Sequence, residues 1–247
     1  MKSFFDKDLL QGLRYGLLAG AVVLAVVLVQ RHGSALPAAA SQPVQPVQTV
    51  EPVLHRELDL AGEPASADAR RLAQWVVASA DNGAHPFVIL DKKAAAVLVF
   101  AASGRLLGAT PVLLGFAQGD DSVPDIGLRP IEAVRPEERT TPAGRFVSRP
   151  GRNALDEEVL WVDYDAAVSM HRVRLTSPAE RRAERLASPT AADNRISYGC
   201  INMPVPFFEQ VLWPNLRGGR GVVYVLPETK LLEQVFPGIV TPVVLAY

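Results

Sequence analysis

Short apolar runs with the character of β-strands occupy the chain between residues 86 and 226, and they constrain the fold more than any other feature. Turn residues separate them, and no regular alternation of strand and helix is present. A sandwich or barrel is therefore favoured over a doubly wound sheet, and we expect a mainly β fold with a few short helices. The runs are 86–90, 95–100, 105–115, 144–149, 158–164 and 221–226.

A small number of helices accompany these strands. Ser66 is placed to cap a helix whose apolar residues Leu72, Trp75 and Val76 share one face, and Asn82 with the following glycine is expected to end it. The other predicted helices are 177–187, opened by a Ser-Pro-Ala-Glu capping box, 204–212, ended by Pro214, and 231–236, in a C-terminal extension (229–247) whose last residues, 243–247, resemble a strand.

The N-terminal region contains an uninterrupted apolar run over residues 15–29, with Arg14 before it and Arg31 after it. As a helix, the run is about 22 Å long, which is shorter than a hydrocarbon core of about 30 Å. We expect an uncleaved single-pass anchor, with the rest of the chain outside the cytoplasm. The alternative is a signal peptide cleaved near Ala38, which releases the rest of the chain.

The segment after this run is rich in proline and glutamine. Residues 41–53 repeat Pro-Val-Gln, a composition typical of an extended tether rather than of a packed element. The sequence therefore predicts three parts: an anchor or signal segment (1–31), an extracytoplasmic linker (32–65) and a folded domain (66–247).

Charge and cysteine content exclude several classes of function. The formal net charge is -1, so the chain lacks the basic field that attracts nucleic acid. A single cysteine excludes an internal disulfide and a zinc site built from several thiols. The four histidines are scattered, without the spacing of metal ligands, and we expect neither a metal nor a cofactor.

The single cysteine, Cys200, is either a small buried hydrophobe or a nucleophile. A nucleophilic thiol needs a histidine or another cation close to it. His171 ends a strand-like run where the chain enters a loop, a place where catalytic groups are often presented, although a structural histidine is also compatible with it. Gly199 leaves its own peptide N–H and that of Cys200 open to bind a developing oxyanion.

The residues around Cys200 resemble a known family. Ser197 to Asn202, read as Ser-Tyr-Gly-Cys-Ile-Asn with His171 upstream, are similar to the signature of the L,D-transpeptidase catalytic domain, also called the YkuD-type domain. The hairpin over 88–100 and the Thr-Pro-Ala-Gly-Arg-Phe segment over 141–146 also resemble that family. The resemblance covers residues 84–227.

This resemblance implies a β-sandwich that acts on peptidoglycan stem peptides without a cofactor. It also implies that the chain is anchored in a bacterial inner membrane with its folded domain in the periplasm, or is a free periplasmic form if the N-terminal segment is cleaved. Cys200 would be the nucleophile, attacking the carbonyl between a diamino acid and the terminal D-Ala and forming a thioester that an amine resolves. His171 would be the general base, Gly199 would shape the oxyanion site, and Ser197 and Asn202 would order the loop. The alternatives are a carboxypeptidase or hydrolase, if water resolves the thioester, and a silent peptidoglycan-binding module.

Two departures from the family pattern concern the site. Tyr198 stands where the family usually has histidine, and tyrosine does not accept a proton at neutral pH as imidazole does. The chain between His171 and Ser197 is longer than usual and contains an arginine-rich helix. We expect its Arg181, Arg182 and Arg185 to contact substrate carboxylates; the alternative is a solvated helix face paired with glutamates.

Overall fold

The computed structural model describes residues 56–239. The predicted anchor, the linker up to residue 55 and the last predicted strand lie outside the described residues. Within 56–239, no helix has both the length and the hydropathy to cross a membrane. Residues 57–60, which the sequence assigns to the linker, lie against the domain: the N–H of Glu57 donates to Ser103 O, and the N–H of Leu106 donates to Asp59 O.

Most of the described strands belong to one mixed sheet in the order β3-β2-β1-β10-β5-β6-β7-β9, and β4 and β8 form a separate pair. The mainly β fold expected from the sequence is confirmed. The strands are β1 (Phe87–Asp91), β2 (Ala96–Phe100), β3 (Leu106–Pro111), β4 (Leu114–Gly115), β5 (Gly144–Arg152), β6 (Glu158–Asp163), β7 (Val168–Arg172), β8 (Arg195–Ser197), β9 (Ile201–Met203) and β10 (Gly221–Val225).

Strand β5 divides the large sheet into two halves. Its residues 144–148 pair with β10, and its residues 149–152 pair with β6. Val97 and Val99 of the first half share one buried cluster with Met170 and Ile201 of the second half. Because side chains from both halves enclose the same core, the sheet folds over at β5 in the manner of a sandwich.

The first half of the sheet is also buried on its other face. Helix α1 (Ala67–Ser79) packs there, with Leu72 and Val76 in contact with a cluster that contains Phe87 and Tyr224. Burial on both faces explains why β1 is apolar at consecutive positions rather than at alternate ones. Ser66 caps α1 as expected, since its Oγ accepts from the N–H of Ala69 at 3.1 Å.

The remaining helical segments are short, and two differ from the prediction. The segment 177–187 is not one helix: a 3₁₀ turn, Pro178–Glu180, precedes α2 (Arg182–Ala187). Arg181 separates the two because its backbone is left-handed, with φ of 50°. Ser177 makes no side-chain capping hydrogen bond. Other 3₁₀ turns are Ile126–Leu128, Ile131–Ala133, Pro136–Glu138 and Ala191–Asn194.

The helix predicted over 204–212 continues beyond Pro214. It consists of α3 (Val205–Phe207), a π-helical turn (Phe208–Leu212) and α4 (Trp213–Leu216). Pro214 lies inside this continuous segment, directly after the π-helical turn, and does not end it. The predicted C-terminal helix is confirmed as α5 (Leu232–Val235).

Candidate active site

Four polar side chains of β7, of β9 and of the residue directly before β9 lie on one face of the second half-sheet. The two strands are parallel, with Met170 beside Ile201 and His171 beside Asn202. Met170 and Ile201 point into the core, so Ser169, His171, Cys200 and Asn202 point to the opposite face. All four line one cavity of about 500 Å³. The fold thus places the predicted nucleophile and the predicted base in the same cavity.

Cys200 is partly exposed in this cavity, immediately before β9. Its Sγ lies 3.7 Å from Ser169 Oγ and 3.5 Å from the carbonyl oxygen of Ala167, to which the thiol donates. No hydrogen bond among residues 56–239 joins the thiol to the His171 ring. In this arrangement the thiol contacts the Ala167 carbonyl rather than the imidazole of His171.

His171 is held in one tautomer by its own strand. Its Nδ1 lies 2.8 Å from the carbonyl oxygen of Arg172, which only accepts, so Nδ1 carries the proton and Nε2 keeps its lone pair. Burial lowers the pKa of His171, and the cations Arg174 and Arg182 act in the same direction. The imidazole is therefore neutral near pH 7 and able to accept a proton.

The turn that presents Cys200 is closed by Ser197. The buried Ser197 Oγ donates to Cys200 O at 2.6 Å and accepts from the N–H of Gly199 at 3.1 Å. The expectation that both peptide N–H groups are open is therefore wrong for Gly199. The N–H of Cys200 takes part in no hydrogen bond among the described residues, and it remains the one candidate oxyanion donor of the predicted pair.

Only glycine fits at position 199. Its φ is 123°, and a Cβ there would lie 2.8 Å from the carbonyl oxygen of Thr140.

Thr141, the residue after Thr140, is fully buried and links the Cys200 turn to the rest of the domain. Its Oγ1 donates to Gly199 O at 2.8 Å and accepts from the N–H of Gly115 at 3.0 Å. Thr141 thereby fixes the carbonyl that precedes the thiol.

A buried ionic cluster lies behind Thr141. Lys92 Nζ donates to Asp120 Oδ1 at 2.7 Å and to Thr141 O at 2.9 Å, and Glu228 lies 3.5 Å away and also pairs with Arg195. Burial acts to raise the pKa of Asp120, but hydrogen bonds from Lys92 and from Thr229 and its neighbours outweigh this effect and keep the pKa well below its usual range. Lys92, which lies between the first two predicted strands, is thus a buried cation.

Asn202 connects the turn to the arginine-rich insertion. Its Nδ2 donates to Cys200 O at 3.2 Å, and its Oδ1 accepts from the guanidinium of Arg182. Arg182 also pairs with Glu180, and both line the cavity. Arg174, which pairs with Glu157, is a second cavity-lining arginine.

The other two arginines predicted to contact the substrate are placed elsewhere. Arg181 pairs with Glu184, and Arg185 donates to the carbonyl oxygens of Glu180 and Asp193. Both line a separate groove of about 170 Å³. Arg182, in contrast, lines the cavity of Cys200, so the fold does not bring the three arginines to one site.

Tyr198 lies at the rim of the cavity and is 39% exposed. The guanidinium of Arg139 stacks on its ring, 3.8 Å from the centroid. A cation over the face of an aromatic ring is a stabilising arrangement. The Tyr198 ring thus forms part of the cavity rim and is covered by Arg139.

Sequence reasoning did not find Ser169 or give Thr141 a role in the site. Ser169 is an isolated serine in an apolar run, and only the pairing of β7 with β9 brings it to Cys200. The signal for Thr141 was the Thr-Pro-Ala-Gly-Arg-Phe segment that it begins. Within the described residues, no cluster of three or more histidine, cysteine or acidic side chains is arranged to hold a metal ion.

Comparison with known proteins gives similarity at the level of structure. No protein-family model and no curated protein matches the sequence. Among solved structures, the chain is similar to an L,D-transpeptidase mutant from Enterococcus faecium (16% identity, 57% of this chain and 50% of that chain, TM-score 0.33). It is also similar to an L,D-transpeptidase from Xylanimonas cellulosilytica (15% identity, 59% of this chain and 62% of that chain, TM-score 0.35). A third similar structure is the helical cell shape determining protein Pgp2 from Campylobacter jejuni (14% identity, 64% of this chain and 55% of that chain, TM-score 0.39).

The matches span about half to three fifths of those structures' lengths. The named transpeptidases are of the same class as the family that the sequence motifs resemble. At these identities and with TM-scores below 0.5, the likeness supports no conclusion on the activity of this chain.

Proposed function

We propose that this domain is a cysteine acyltransferase that acts on peptidoglycan stem peptides, as L,D-transpeptidases do. The observation that carries the proposal is the placement of Cys200 and a neutral His171 on one strand face and in one cavity. The N–H of Cys200 lies at the same point of the chain, available to a developing oxyanion. A thiol, a base and an oxyanion donor are the groups that acyl transfer through a thioester requires.

The proposed reaction begins with rotation of the Cys200 thiol from the Ala167 carbonyl toward His171, whose Nε2 takes the proton. Sγ then attacks the carbonyl that links the diamino acid to the terminal D-Ala, and the oxyanion accepts the N–H of Cys200. His171 returns the proton to the leaving amine, D-Ala departs and a thioester remains. An acceptor amine attacks the thioester and gives its proton to His171, and the thiolate leaves.

The charges of the cavity suit a zwitterionic peptide. Arg174 and Arg182 bring cations to the lining, and Glu180, which pairs with Arg182, brings a carboxylate beside them. Stem peptides contain both carboxylates and amines, so donor and acceptor groups each find a partner of opposite charge there. Of the three arginines of the insertion considered as substrate contacts, we keep only Arg182.

The second candidate function is a peptidoglycan-binding module without catalysis. The contact of the Cys200 thiol with the Ala167 carbonyl favours it, because a thiol that donates to a carbonyl is not activated. Tyr198 in place of the family histidine is compatible with it as well. A hydrolase that passes the thioester to water is a variant of the leading proposal and uses the same residues.

A product assay on the full-length chain distinguishes these functions. The protein is incubated with a tetrapeptide donor and an amine acceptor, and D-Ala release and amine-exchanged products are measured. We expect both products with the wild type and neither with Cys200→Ala or His171→Gln, whereas His85→Gln, outside the cavity, retains them. Release of D-Ala without exchanged product identifies the hydrolase, and binding of the peptide without release identifies the binding module.

The cellular location is part of the proposal. We propose that the apolar run 15–29 anchors the chain in the bacterial inner membrane with the domain in the periplasm, where peptidoglycan is the substrate. Fractionation of cells, with protease added to spheroplasts, tests this. Degradation of a membrane-associated chain from outside agrees with the proposal, and protection of the domain contradicts it.

A further inference from the structure

A second groove lies beside the candidate active site. The residues that line it are Val147, Arg149, Pro150, Trp161, Val162 and Tyr164, and its volume is about 550 Å³. Trp161 lines this groove and the cavity of Cys200, so the two depressions are contiguous.

Strand pairing places the groove and the thiol in one row. Arg149 of β5 lies opposite Trp161 of β6, and Trp161 lies opposite Ser169 of β7. Ser169 in turn contacts Cys200. Residues directly opposite each other point to the same face of a sheet, so the row runs from the thiol across the sheet into the groove.

The wall of the groove is an aromatic surface formed by Trp161 and Tyr164. The Trp161 ring lies over Gly151, where a Cβ would come within 2.8 Å of two ring atoms. Tyr164 meets Trp161 edge to face, with ring centroids 5.0 Å apart, and is 74% exposed. The guanidinium of Arg149, the one charged group of the lining, makes no hydrogen bond or ion pair with the described residues. Exposed aromatic faces with a nearby donor suit a ligand with apolar C–H faces and hydrogen-bond acceptors.

The distance from Cys200 to the groove matches the length of the stem peptide between its reacting carbonyl and its sugar. Neighbouring strands are about 4.8 Å apart, so Trp161, two strands from Cys200, lies about 10 Å from it. The reacting carbonyl belongs to the third residue of the stem peptide, and three extended residues span about 10 Å. A donor bound along the row with its carbonyl at Cys200 therefore brings the amino-sugar that carries the stem peptide to the aromatic surface.

We infer that the groove binds the amino-sugar portion of the donor substrate, an inference that rests on the proposed function. The ring of the sugar lies on Trp161 and Tyr164, and its amide or carboxylate oxygens accept from Arg149. A second peptide fits the groove less well, because the lining offers no carboxylate to an amine. The site thereby distinguishes stem peptides attached to sugar from free ones.

Binding measurements on the full-length Cys200→Ser chain test the inference. The dissociation constant is measured by calorimetry for a disaccharide-tetrapeptide and for the same tetrapeptide without sugar. We expect the sugar-bearing ligand to bind about tenfold more tightly, and Tyr164→Ala or Arg149→Ala to lower its affinity at least about fivefold without changing that of the free tetrapeptide. Arg217→Ala, an exposed arginine away from the groove, is the matched control.

An unchanged affinity ratio in both groove variants overturns the inference, and so does an equal loss for both ligands, because the groove then holds peptide. Titration of the disaccharide alone, followed by tryptophan fluorescence, separates this outcome from failure of the proposed function. If the free tetrapeptide does not bind but the disaccharide gives a signal that Tyr164→Ala removes, the groove binds sugar and the stem-peptide assignment is wrong. If the disaccharide gives no signal while the tetrapeptide binds, the groove inference is wrong and the proposed function remains.

Discussion

Replacing Thr141 by valine tests the account of how the Cys200 turn is held. Valine keeps the shape of threonine and removes a fully buried hydroxyl that makes two hydrogen bonds, one to Gly199 O and one from the N–H of Gly115. Each partner left without a hydrogen bond in the interior costs about 1–3 kcal/mol. We therefore expect the free energy of unfolding to fall by about 2–4 kcal/mol, since partial relaxation offsets some of this cost.

The neighbouring Thr140 provides a matched control. It is also buried, but its hydroxyl makes no hydrogen bond among the described residues, so Thr140→Val should change the free energy of unfolding by less than about 0.5 kcal/mol. Urea denaturation of both variants measures the difference, and Thr141→Ser, which keeps the hydroxyl, should recover most of the loss. Equal stabilities for the two valine variants would refute the role given to Thr141.

Three further predictions concern charge and backbone geometry. Because burial lowers the pKa of His171, the acid limb of kcat/KM should lie below pH 6.5. Activity and the contribution of His171 to stability should both be present above its ordinary pKa and be lost as the pH falls through its lowered pKa. An acid limb above pH 6.5 contradicts this. Gly199→Ala, which combines a φ of 123° with a 2.8 Å contact, should lower D-Ala release at least about tenfold, and wild-type release would refute the constraint. Lys92→Met should lower the free energy of unfolding, measured by urea denaturation, by about 3–5 kcal/mol because Asp120 loses its buried partner. The substitution Lys93→Met, at an exposed position, should lower it by less than about 0.5 kcal/mol. Equal losses for the two variants contradict the role given to the buried pair.

The parts of the fold that were predictable are encoded locally. Strand β1 and its partner β2 are short β-branched and aromatic runs bounded by turn residues, and Ser66 is a capping residue directly before an amphipathic helix. Strands β8 and β9 contain three residues each and have no such signal. They form because distant segments pair with them.

Parts of the site depend on contacts that are distant in sequence. The motif around Cys200 and the position of His171 singled out the two residues that the fold places in one cavity. The burial of Lys92 was not foreseeable, because its partner Asp120 is remote in the chain. The break at Arg181 was not foreseeable from a capping box that reads as the start of one continuous helix.

The claim that Cys200 becomes acylated is tested most directly by the intact mass of the full-length chain. The protein is mixed with a tetrapeptide donor, quenched with acid within seconds and analysed by mass spectrometry. The account predicts an adduct equal to the donor minus D-Ala, present on the wild type, absent from Cys200→Ala and released by hydroxylamine. A wild-type chain that binds the donor and releases D-Ala without this adduct, or an adduct that persists in Cys200→Ala, would contradict it.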